Sequence, residues 1–194
     1  MAGGKAYGAL CSPGQAAVVG VGVTPYVRGS AHSDVELLLL AGVAACEDAG
    51  VKPRDVDGLI APALPGTTVE DFATALGIED LAYSSRIEMG GASAVAALGH
   101  AAQAVASGAA RHVLIPTGWS GYSKFKLGAG DEDVLELLSQ TLPGRDLRRN
   151  LEHPYGLLVP MQYYALHANR WIHEYRLGRE ANEAMATVAT TMRR

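Results

Sequence analysis

Apolar residues follow two different periods along this chain, and the alternation between them predicts its elements. Ala16–Val23 is short, β-branched and punctuated by Gly20 and Gly22, and Thr24-Pro25 closes it, which predicts a buried strand followed by a turn. A helix follows, capped by Ser33 or Asp34, with apolar Leu37, Leu38, Ala41, Ala44 and Ala45 on a helical period. Gly50 stands where a helix end accepts positive φ. Val56–Ala61 predicts a second strand, Val69–Leu76 a short helix ending at Gly77, and Ala82–Glu88 a third strand suited to a sheet edge. Ala92–Ser107 is an alanine-rich helix closed by Gly108, and His112–Thr117 is a β-branched strand.

Strands separated by helices call for parallel neighbours, because parallel strands need crossover connections. The predicted class is therefore α/β, a mostly parallel sheet with helices on both faces. The texture changes after Thr117. Gly118–Glu152 is polar and glycine-bearing, with a short helical stretch around Asp131–Leu138; Pro160–Tyr175 then reads as an aromatic amphipathic helix and Arg179–Met192 as a polar-faced one. The expected organisation is a flexible N-terminal arm over residues 1–15, an α/β core over 16–117 and a helical excursion, or loop region, over 118–194.

Composition narrows the function classes. With 48% hydrophobic and 19% charged residues the chain is no disordered polymer, and 194 residues allow one domain or at most two. The net charge of −4, with basic residues scattered outside Arg145, Arg148 and Arg149, offers no footprint for nucleic acid. Cys11 and Cys46 are too few for a disulfide framework and have no ligand-spaced neighbours, so a reducing cytoplasm is the expectation and no metal site is assigned. The most apolar segments, Val35–Cys46 and Gly90–Gly108, fall short of the roughly 18–20 apolar residues of a membrane span. Met1–Gln15 has no hydrophobic run of the signal-peptide kind.

Two glycine motifs invite chemistry. Gly20-Val21-Gly22 follows a predicted strand as a dinucleotide loop would, but the third glycine is missing, Pro25 occupies the turn, and no acid follows the second strand to hold a ribose. Close approach to a neighbouring element explains the pair better. Ile87-Glu88-Met89-Gly90-Gly91-Ala92-Ser93-Ala94 is more informative: a strand ends, a diglycine turns the chain, and a helix of tiny residues begins with its N–H groups unpaired. Ser93 is the one side chain there able to attack a carbonyl, yet no adjacent residue supplies a general base, and a small helix-start residue is the alternative reading.

Three blocks together carry a family resemblance: Ala17-Val18-Val19-Gly20-Val21-Gly22-Val23-Thr24-Pro25-Tyr26; Glu47-Asp48-Ala49-Gly50 with Asp55-Val56-Asp57-Gly58-Leu59; and Gly90–Gly108 with Val113-Leu114. In that order they resemble the thiolase superfamily. His153-Pro154-Tyr155-Gly156-Leu157 and Glu174-Tyr175 with Arg179-Glu180 resemble its sterol-carrier-protein-type branch, which includes the lipid-transfer-protein-like aldolases of steroid side-chain breakdown. The resemblance runs from about Ala16 to the last residue. It implies that a nucleophilic cysteine would stand near Gly91, where a helix N-terminus lowers a thiol pKa; no cysteine is there. The aldolase branch lacks that cysteine too, and its chemistry implies retro-aldol cleavage of a β-hydroxyacyl-CoA, which needs acid/base groups and an oxyanion site instead of a thiolate.

The resemblance further implies that a second, similar α/β half supplies the remaining acid/base residues. That half is absent here, so the chain is expected to be a truncated N-terminal half, with exposed apolar surface and no complete catalytic set. The implied substrate is a coenzyme A thioester with no covalently bound cofactor, and the implied partners are a second copy of the chain and a small zinc-ribbon/OB-fold subunit; the Ala82–Glu88 strand is the hypothesis for the dimer edge.

The catalytic candidates are His153, Tyr155 and Ser93. Candidate substrate-binding residues are Gly90, Gly91, Arg145, Tyr155, Tyr163 and Trp171, with the aromatic helix face as an acyl or steroid wall and the arginines facing coenzyme A phosphates. Core packing and a solvated basic turn are the competing readings of these. His167 and His173, six apart, do not share a helix face and form no metal pair. The function expected is a part of a larger thiolase-like lyase or acyltransferase; the alternative is a non-catalytic acyl- or lipid-binding or structural subunit of a hetero-oligomer.

Overall fold

Local sequence signals set the helix ends. In the computed structural model, which describes residues 14–27, 29–62, 67–118, 147–157 and 160–191, α1 spans Asp34–Ala49. Ser33 and Glu36 cap it reciprocally: the Glu36 N–H donates to Ser33 Oγ at 3.2 Å and the Ser33 N–H to the Glu36 carboxylate at 2.7 Å. Gly50 closes it at φ +67°. The same box, Thr68 with Asp71, starts α2 (Val69–Leu76), and Gly77 ends it. The chain forms two compact units, Met1–Pro143 and Gly144–Arg194.

The first unit holds a parallel three-stranded sheet of β1 (Gly58–Ala61), β2 (Tyr83–Arg86) and β3 (Val113–Leu114), in the order β2-β1-β3. All four residues of β1 are buried, as expected of a central parallel strand covered on both faces. Leu59 and Ala61 meet Leu38 of α1 and Phe72 of α2 on one face. Ile60 meets Ala97 of α3 (Ser93–Ala106), with Ile87 and Val113, on the other. The handedness of crossovers accounts for this split. The connection from β1 to β2 runs one way along the sheet and that from β2 to β3 runs back, so right-handed connections place α2 and α3 on opposite faces.

Asp57 joins the three strands at their N-terminal ends. Its carbonyl accepts the N–H groups of Ala82 and Tyr83 at 2.9 and 3.0 Å, just where β2 starts. Its carboxylate accepts those of Arg111 and His112 at 2.8–2.9 Å, just before β3. Partial burial pushes this carboxyl up, but the N–H groups of His112 and Arg111 outweigh it and hold the pKa below the ordinary aspartate value.

Two expectations need correction. Ala16–Val23 is not a buried strand: it pairs in no ladder among the described residues and exposes Val18, Val19, Val21 and Val23. Gly20 and Gly22 lie flush on α1, where a Cβ at Gly22 would collide with the Ala41 carbonyl and the Ala45 N–H, and one at Gly20 with the Ala45 carbonyl. The Val21 N–H donates to the Asp48 carboxylate at 2.9 Å. The glycine face is thus spent on a helix backbone instead of a neighbouring strand. The strand expected over His112–Thr117 shrinks to Val113–Leu114, since Pro116 has no N–H to extend the ladder. Of the rest, the arm up to Pro13 and the short helix around Asp131–Leu138 lie outside the described residues.

The second unit contains a wound stretch Arg148–Glu152, a 3₁₀ turn His153–Tyr155, α4 (Pro160–Glu174) and α5 (Arg179–Thr191). None of its described residues is fully buried.

Candidate active-site region

Ligands of parallel α/β sheets bind beyond the carboxyl ends of the strands. Here that edge is formed by the junction from β2 to α3. Ile87 is buried, Met89 is exposed, Gly90 takes φ +56°, and Gly90–Ala92 make one 3₁₀ turn into the helix. The Ser93 hydroxyl accepts the Met89 N–H at 2.9 Å, closing the loop on itself. That bond is the local capping function of a small polar residue. Among the described residues no hydrogen bond joins Ser93 to a carboxylate or imidazole.

Position 91 is sterically open, with no heavy atom within 4 Å of where a Cβ would stand. A Cβ is therefore tolerated at this position, and the residue that stands there is glycine. Cys46 cannot substitute for a cysteine there, being buried in α1, where desolvation pushes its thiol up from the ordinary range and away from the thiolate. Cys11 lies outside the described residues.

Arg86 was passed over in the sequence, though a lone arginine just ahead of a diglycine turn is a readable signal. At the last position of β2, its guanidinium donates to the buried Thr67 carbonyl at 3.0 Å and pairs with Glu88 at 3.2 Å. It thereby ties the start of α2 to the edge that carries Gly90 and Gly91.

The other candidates belong to the second unit. His153 is half-buried and Tyr155 is 84% exposed, both on the turn that Gly156 closes at φ +78°. Two contacts staple this turn to α4: Gln162 Nε2 donates to the Gly156 carbonyl at 2.8 Å, and the Tyr163 hydroxyl donates to the Glu152 carboxylate. Tyr163 therefore has a structural partner of its own, while the Tyr155 ring projects into solvent. Trp171 leans on Tyr175, ring centroids 6.0 Å apart. Arg145 lies outside the described residues. The structure thus brings Gly90, Gly91 and Ser93 together at one junction, and His153 and Tyr155 together on one turn. Among the described residues no group of three or more His, Cys, Asp or Glu could hold a metal ion, and no helix is long and apolar enough to cross a membrane.

The model of the thiolase N-terminal domain matches residues 16–191. The chain belongs to the thiolase family. Within it, 160 residues are 34% identical to a 17-hydroxy-3-oxo-4-pregnene-20-carboxyl-CoA lyase of Mycobacterium tuberculosis, covering 82% of this chain and 40% of that protein. A steroid side-chain-cleaving aldolase of Thermomonospora curvata is 32% identical over 170 residues, 84% of this chain and 41% of the relative. A solved structure named Ltp2-ChsH2(DUF35) aldolase superposes with a TM-score of 0.66 at 32% identity, covering 82% of this chain and 38% of the other. The thiolase-like α/β class read from the sequence is thereby shown. The chain spans about 40% of the length of the relatives it matches.

Proposed function

We propose that this chain is the N-terminal portion of a thiolase-like lyase that cleaves a carbon–carbon bond of a β-hydroxyacyl-CoA without forming an acyl-cysteine. The observation that carries this reading is the β2–α3 junction: a thiolase fold whose helix N-terminus has room for a Cβ at position 91 and holds a glycine there. The two relatives are named as a lyase and an aldolase, in keeping with that chemistry. In the retro-aldol step a base takes the proton of the β-hydroxyl, and the electron pair left on that oxygen forms the second bond of a carbonyl. The Cα–Cβ bond breaks, its electrons form the thioester enolate, and protonation of that enolate releases the shorter acyl-CoA. Backbone N–H groups at Gly90 and Gly91 suit an enolate oxygen; in the second unit, taken by itself, His153 and Tyr155 carry side chains able to hydrogen-bond a thioester or a hydroxyl.

The outer face of α3 supports completion by further polypeptide. Val95 is 73% and Leu98 51% exposed, and beside them lie Ala94 and Gly99, with His100 as the one polar exposed residue of the helix. A helix apolar on both sides is built to be covered on both. The remaining 60% of the relatives' length is the proposed cover. β2 stands at the edge of the sheet, which suits it to meet a second copy in a homodimer. The solved neighbour's name couples Ltp2 to a second component, ChsH2, which favours a partner subunit here as well; its zinc-ribbon/OB-fold character rests on the family resemblance alone.

Incubating the natural gene product with a β-hydroxyacyl-CoA and assaying the shorter acyl-CoA tests the reading. Product is expected, and Tyr155→Phe and His153→Ala are expected to lower its rate; wild-type rates in both variants remove those residues from the site. One rival is a non-catalytic acyl-binding or structural subunit, which the exposed apolar Val95 and Leu98 of α3 would suit equally well. That rival predicts acyl-CoA binding without turnover.

A further inference from the structure

We draw no further inference here: the strongest candidate, the cavity of about 420 Å³ between the last turns of α3 (His100, Gln103, Ser107), Tyr83 of β2 and Gln15, carries nothing because its walls hold no carboxylate, ammonium or guanidinium and, among the described residues, no buried side-chain polar atom is left without a partner to say what would fill it.

Discussion

The two ends of the parallel sheet are built on opposite plans. At the N-terminal end a single residue, Asp57, gathers the backbone of both neighbouring strands through its carbonyl and carboxylate. At the C-terminal end the chain turns through Gly90 and Gly91, neither of which would meet a neighbour if given a Cβ; the Ser93–Met89 bond at the turn is local, and Arg86 at the end of β2 reaches the Thr67 carbonyl. The difference teaches where this fold keeps its rigidity and where it leaves room. Strand register is fixed at one edge, so the other can be assembled from loops and left open to a substrate.

The layer common to both ends sets the scale for testing that contrast. Phe72→Ala empties a fully buried site against Leu38, Leu59 and Ala61, and should cost about 3–5 kcal/mol by denaturant titration. A loss under about 1 kcal/mol would mean that α2 does not hold the sheet from this face. Gly22→Ala comes next: its new Cβ must displace backbone of α1, for a loss of about 1–3 kcal/mol and faster amide exchange in Ala41–Ala45. Unchanged exchange there would show that the extended segment does not rest on α1.

Asp57→Asn probes the closed end directly. Weakening the acceptor of the Arg111 and His112 N–H groups should cost about 1–2 kcal/mol near neutral pH. The folded pKa of Asp57 lies below its unfolded value of about 3.9. Its stabilisation is therefore full above that value and fades as pH falls through the folded pKa, so wild type and variant should converge under strong acid. A gap that widens on acidification would contradict the assignment. At the open end, Gly91→Ala should shift stability by less than about 0.5 kcal/mol. Val95→Glu should be equally mild in the isolated chain, yet should impair assembly of the full-length protein, seen as loss of the native species in gel filtration. A large loss of stability in either variant would erase the contrast between the two ends.

Much of this layout is legible in the residues. Ser33, Gly50 and Gly77 mark helix ends because capping is local chemistry. The run Val56–Ala61 reads as a strand from its apolar residues, while its central place and its burial on both faces over Gly58–Ala61 came only with the structure. Val18–Val23 misleads for a physical reason: β-branched residues alternating with glycine favour an extended backbone, but they do not say whether that backbone pairs with a strand or lies on a helix. Asp57 was visible only as part of a family-like block, since its partners lie 54 and 55 residues away. Of the candidate site, the residues themselves display the diglycine junction and the lack of a cysteine there. Its acid and base are not legible, because loop turns such as His153–Tyr155 acquire a role only from what packs around them.

Cysteine-independent cleavage is the central claim, and one assay bears on it most directly. The natural gene product is treated with iodoacetamide, its alkylation is verified by mass, and it is then given a β-hydroxyacyl-CoA with no free coenzyme A. The account predicts release of the shorter acyl-CoA at the rate of untreated protein. Turnover that requires free coenzyme A and is abolished by alkylation would contradict it.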